Sequence, residues 1–222
     1  MGDTVWERWG AASGLVSVAV GAAALIFERG GVRPGAPSNE ITYFYLRNGQ
    51  AQLTQSLLFT AGAAALLWFA GSLRAFLARA EGGTQRLSTL AFGAAVAQAA
   101  MNLLAQAFQV GLAGAPHDGQ VPPALISTMD AVFVLANVPL AVMLVAVAVV
   151  SLRTHVFPSW LGWLAALAAA AHALLSVSIV IGSGPLAAGG WLATALYPAL
   201  AVWLVPAAIT MIARIGHGES GS

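Results

Sequence analysis

The chain has no cysteine, no lysine and little charge of either sign. Of its 222 residues only 8% are charged, and all nine basic ones are Arg. Each shortage excludes something. Without cysteine there is no disulfide, thiolate metal site, iron–sulfur cluster, Cys nucleophile or lipid-modified Cys. Without lysine the chain cannot form a retinal Schiff base. A soluble domain carries about 25% charged residues, so this one cannot coat itself for water. The formal net charge of +1 says nothing for a nucleic-acid partner. What is there instead is 59% hydrophobic residues, and a lipid bilayer is the partner that accommodates them. Arginine to the exclusion of lysine, with abundant Ala and Gly, suggests a GC-rich bacterial genome and hence the bacterial plasma membrane.

A spanning helix takes ~20 mostly apolar residues. Six segments qualify, at residues 11–27, 51–77, 87–112, 122–150, 160–181 and 191–213. The expected fold is therefore all-α, one integral membrane bundle of six transmembrane helices over residues 1–222. The first segment is short, but Glu7 lies where a signal peptide would be basic and no clean cleavage site follows, so it reads as a retained helix. Arg8, Arg74, Arg79, Arg86, Arg153 and Arg214 fall on the side of the termini, against Arg29, Arg33 and Arg47 opposite. The positive-inside rule then places both termini in the cytoplasm. Trp6, Trp9, Trp160, Trp163 and Trp191 lie at span ends, where amphipathic rings prefer the interface. Gly-x-x-x-Gly is not evident within a span, so helix packing is expected to rest on alanine.

Residues 28–49 form the longest connection, on the outer side. Within it, Ser38 or Asn39 would cap a short interfacial helix carrying Tyr43, Phe44 and Tyr45 into the headgroups. The plainer expectation is an extended start to the second span. Arg29 and Arg33 would meet solvent or an anionic headgroup. A weak internal repeat pairs Ser72-Leu73-Arg74 with Ser151-Leu152-Arg153, and the Ala-rich third span with the fifth. A parallel hairpin duplication is geometrically allowed, although Ala-rich helices also match by chance.

Polar side chains inside hydrocarbon are costly and mark sites. At ~1.5 Å of rise per residue, Asp130 lies ~12 Å below the outer end of its span, and Asn102 and His172 lie at ~13–15 Å. Tyr197 and Thr60 come to a similar or slightly shallower level. Gln98, Asn102, Gln106 and Gln109 share one helical face by their spacing of four, four and three, and Gln52 and Gln55 would continue that stripe across the bundle. Asp130 and Asn137 are seven apart on one face, and Pro139 should kink the helix just beyond. His172 and Ser176 are four apart. Together these suggest a polar cavity in the outer half, closed toward the cytoplasm by apolar packing such as Val142 to Val150. The plain alternative is interhelical glue, at ~0.6 kcal/mol per polar group.

His172 is the only His inside a span. One membrane His cannot supply the paired axial ligands of a b-type cytochrome, and one His with one Asp makes a poor zinc site. Neither metal nor cofactor is therefore expected. A His172–Asp130 pair would suit proton transfer; otherwise His172 is a core residue bonded to a carbonyl. The candidate catalytic residues are Asp130 and His172, and the candidate ligand contacts are Gln98, Asn102, Gln106, Asn137, Ser176 and Tyr197. Three functions fit: binding or transport of a small lipophilic or amphipathic molecule, an intramembrane isomerase or cyclase using Asp130 as general acid or base, or an accessory subunit. The near absence of polar residues in the cytoplasmic half weakens transport, because alternating access needs a second polar set.

One stretch carries a resemblance. Phe157-Pro158-Ser159-Trp160-Leu161-Gly162-Trp163-Leu164, opening an Ala-rich span after Ser151-Leu152-Arg153, resembles small bacterial multi-pass membrane proteins of the DUF4386 type. The resemblance implies a multi-span membrane fold with a long first outer loop. It assigns no activity and no site residue, since the motif is an interfacial anchor.

Overall fold

A computed structural model of the chain describes residues 3–27, 30, 32, 36–114, 119, 121–181, 183–187 and 189–217. Arg29, Arg33 and His117 lie outside the described residues. The chain forms α1 (Asp3–Ile26), α2 (Ser38–Glu81), α3 (Arg86–Gly114), α4 (Pro123–Leu135), α5 (Asn137–Thr154), α6 (Ser159–Val177), a 3-10 turn (Ser178–Val180), α7 (Trp191–Leu196) and α8 (Ala199–His217). Six helical runs are long and apolar enough to cross a membrane; α4 with α5, and α7 with α8, each count as one. The protein is a multi-pass, all-α membrane protein.

Proline placement explains where the helices stop. Pro139 has no N–H, so the carbonyl of Leu135 loses its partner four residues on, and the fourth span divides at Ala136. The break thus falls before Asn137 rather than beyond it. Pro198 does the same to the carbonyl of Thr194, and the last span divides after Leu196. At the start of α2, the N-cap is Pro37, and neither Ser38 nor Asn39 makes a side-chain cap. Residues 38–49 belong to one 44-residue helix, about 66 Å long at 1.5 Å per residue. That is twice the ~30 Å of hydrocarbon, so its first turns stand clear of the spanning part. There Ile41 and Tyr45 are buried against Leu112, Ala113 and Val121. Tyr45 therefore packs inward instead of dipping into headgroups.

The spans form a closed ring in chain order, with α1 meeting α8 to shut it. Neighbours run antiparallel: Ser17 on α1 donates to the Gly62 carbonyl at 2.8 Å, while Gly10 lies against Ser72. Both described ends share one face of the bundle, here called proximal, and the opposite face is distal. Expecting no Gly-x-x-x-Gly contact was wrong. Helix α1 begins at Asp3, which brings Gly10 inside it four residues before Gly14. A Cβ on Gly10 would overlap the Ser72 hydroxyl, and one on Gly14 would reach 2.7 Å from the Phe69 ring. Small residues let the two backbones approach, as membrane helices require.

Proximally the ring is filled. Leu73, Leu77, Met143, Leu144, Phe157, Leu161, Trp203 and Met211 form a continuous buried cluster, with Ala91, Ala95, Ala165 and Ala169 at the helix contacts. The proximal ends are also tied together. Arg79 pairs with Glu7 at 2.9 Å, Arg214 donates to the Val156 carbonyl, and Glu81 accepts from the N–H groups of Leu87 and Ser88. The outside of the bundle is apolar. Leu57, Leu167 and Val180 are largely exposed, as are Trp6, Trp9, Trp160, Trp163 and Trp191 near the span ends. Facing lipid, such side chains cost nothing.

Candidate functional site

The site begins at the break in the fourth span. Asn137 compensates for the interrupted helix: its Nδ2 donates to the carbonyls of Phe133 at 3.1 Å and Val134 at 3.0 Å. An amide whose NH2 group is spent on two carbonyls offers its neighbours only the oxygen. Asn137 Oδ1 lies 2.8 Å from Nδ1 of His172 on α6, so in the neutral ring Nδ1 carries the proton. Nε2 is then a bare acceptor. It is buried without a hydrogen-bond partner, in a residue only 2% exposed. A proline two residues along the chain thus leads, through one amide, to a defined histidine tautomer.

His172 borders a central cavity of about 500 Å³ to which every span contributes. Ser17 and Gly21 come from α1, Phe59 from α2, and Gln98 and Asn102 from α3. Phe133 and Asn137 flank the break in the fourth span, and Tyr197, Pro198 and Leu204 come from the divided last span. The walls are mainly apolar, and no Asp, Glu, Arg or Lys among the described residues lines them. Besides His172 Nε2, the side-chain oxygens of Gln98 and Asn102 are buried and unpartnered. An apolar cavity in the range of ~300–1,000 Å³ with a few placed polar groups is the usual form of a small-molecule site.

Asp130 lies elsewhere. It borders a distal chamber of about 180 Å³, with Phe44, Tyr45, Gln52, Gln55, Gln109 and Met129. Gln109 Nε2 donates to Gln52 Oε1 at 2.6 Å and to Gln55 Oε1 at 3.0 Å, so the amide stripe does continue across to α2. Phe59 and Phe133 border both chambers.

Of the eight candidate site residues, Gln98, Asn102, Asn137, His172 and Tyr197 line one cavity. The other three do not. Asp130 is in the distal chamber, and the partner of His172 Nδ1 is Asn137 rather than Asp130. The direct proton-transfer pair is therefore not formed in this structure. Gln106 is buried with both amide ends unpartnered, but it borders neither chamber. Ser176 donates to the His172 carbonyl at 3.0 Å, a bond within its own helix. Thr60 lines neither chamber. Phe59 and Phe133 were missed, because an aromatic within an apolar run carries no signal of which way it faces. Ser17 and Gly21 were missed for the same reason, small residues in a helix rich in them.

No family model, curated protein or solved structure matches this chain.

Proposed function

We propose that this protein binds a small lipophilic or amphipathic molecule in its central cavity, in a bacterial plasma membrane with both termini cytoplasmic. One observation carries the reading: His172, whose Nε2 is fixed as an acceptor and buried without a partner, borders an apolar volume of about 500 Å³. A buried unpaired acceptor costs about 1–3 kcal/mol, and a bound donor returns that energy. The orientation rests on the excess of arginine at the proximal face. Kinship with the DUF4386-type proteins belongs to the same proposal and adds no residue role. An enzyme using Asp130 and His172 on one substrate fits less well, because the two line different chambers.

The test fills the cavity. Gly21 lines it, and a Cβ added there meets nothing within 4 Å, so the side chain of Gly21→Leu starts into open space. Native mass spectrometry of gently extracted wild-type protein should show a bound small molecule, and Gly21→Leu should lose it at unchanged thermal stability. The same adduct on both proteins, or none on either, defeats the reading.

A further inference from the structure

The distal chamber has a chemistry of its own. Four rings, Phe44, Tyr45, Phe59 and Phe133, line it together with Asp130, an exposed residue of α4 and the one charged side chain bordering the chamber among the described residues. No cation among the described residues pairs with Asp130. The nearest described arginine along α2, Arg47, lines an adjoining surface groove, which shares Val32 and Phe44 with the chamber, and stacks over Tyr43 at 5.9 Å.

A carboxylate attracts any cation, and the surrounding groups decide which. A small metal ion needs several oxygen ligands to replace its water. The side-chain oxygens of Gln52 and Gln55 already accept from Gln109. An alkylated ammonium asks for something different. Its charge is spread over methyl groups, which gain by contact with ring faces and need no hydrogen-bond acceptor. Its size also fits, since five water-sized groups at ~30 Å³ each occupy about 150 Å³, against a chamber of about 180 Å³.

We propose that the distal chamber recognises an alkylated ammonium group, with Asp130 as counter-charge and the four rings as its cage. Phe59 and Phe133 also border the central cavity, so a short chain on the nitrogen passes between them into apolar volume. The head-group site stands on its own lining. The placement of the chain rests on the binding role proposed for the central cavity.

Calorimetric titration in maltoside micelles, which contain no ammonium group, tests both parts. The probes are tetramethylammonium, butyltrimethylammonium and neutral 3,3-dimethylbutanol, whose tert-butyl group has the shape of the ammonium head. Wild-type protein should bind tetramethylammonium at least about tenfold more tightly than the neutral probe, and Phe59→Leu should weaken it about fivefold. Asp130→Asn should cost about tenfold or more for the cation and leave the neutral probe unchanged. Equal binding of the cation and the neutral probe by wild-type protein overturns the head-group site, without reliance on any variant. Unchanged cation affinity in a well-folded Asp130→Asn overturns it as well. Gly21→Leu should spare tetramethylammonium and remove the extra affinity of the butyl compound. If the butyl chain adds nothing in wild-type protein, the chain placement falls and the head-group site remains.

Discussion

The two halves of the fourth span are built from similar residues and packed in opposite ways. Helix α5 buries ten of its 18 residues, whereas α4 buries one of 13, Val134. Both are strongly apolar, so hydrophobicity does not separate them. Their neighbours do. Helix α5 sits between α3 and α6 and contributes Leu140, Met143, Leu144, Val147 and Val150 to the filled proximal core. Helix α4 rests chiefly on α3, and its exposed Asp130 and half-buried Phe133 border chambers rather than a core. The break at Ala136 is what allows one span to be both scaffold and site. One half is held by packing, and the half before the break borders the two chambers.

If this division holds, truncation in the two halves must differ sharply. Leu144 on α5 is 0% exposed, and Leu144→Ala should cost about 2–5 kcal/mol through lost contacts and a cavity. Ile126→Ala on α4, a half-buried residue at the small distal cluster that also lines the distal chamber, should cost under about 1 kcal/mol, because the removed atoms leave no closed void. Reversible unfolding in mixed micelles measures both, and equal losses would erase the distinction.

The junction comes next in size. Asn137→Leu strips the Phe133 and Val134 carbonyls of their side-chain donor and His172 of its acceptor. The expected loss is about 1–3 kcal/mol. A second readout is specific to the junction. Nitrogen NMR of the His172 ring should show one tautomer, protonated at Nδ1, in wild-type protein and a mixture in Asn137→Leu. A mixture already present in wild-type protein would mean that Asn137 does not set the acceptor.

What the sequence made legible follows the same division. Apolar run length yields six spans, and spacing alone places Gln98 and Asn102 on one inward face and links Gln109 with Gln52 and Gln55. The proline effect was misplaced by a few residues, because a missing N–H acts on the carbonyl four residues earlier and not on the helix beyond. Depth counting set Asp130 level with His172 but could not separate their chambers. That separation depends on how α4 turns after the break and on where Phe59 and Phe133 point, which periodicity does not encode. The docking of α1 was hidden because its first helical turns carry Asp3, Glu7 and Arg8, and apolarity alone starts the span after Gly10.

The smallest expected effect lies at the packed end, in the hairpin that joins α2 to α3. Gly82 and Gly83 adopt positive φ there, and Glu81, the last residue of α2 and beyond its apolar stretch, reaches across the turn. Its carboxylate accepts from Leu87 N–H at 2.9 Å and Ser88 N–H at 2.8 Å, two of the donors that a helix start leaves free. Partial burial alone would raise the pKa of this group. The N–H groups of Leu87 and Ser88 and the Ser88 hydroxyl outweigh it and hold the carboxyl below the usual carboxylate range. A depressed value in the folded protein means that the contribution is complete above the unfolded value, near 4.5, and is lost as pH falls through the folded one. Solvent screens so exposed a group, so the loss is under about 1 kcal/mol. Stability followed from pH 7 downward should therefore decline slightly more for wild-type protein than for Glu81→Gln, whose amide oxygen still accepts but does not titrate. Identical pH profiles would show that the proximal face draws its rigidity from the apolar core beneath it, with no share from this turn.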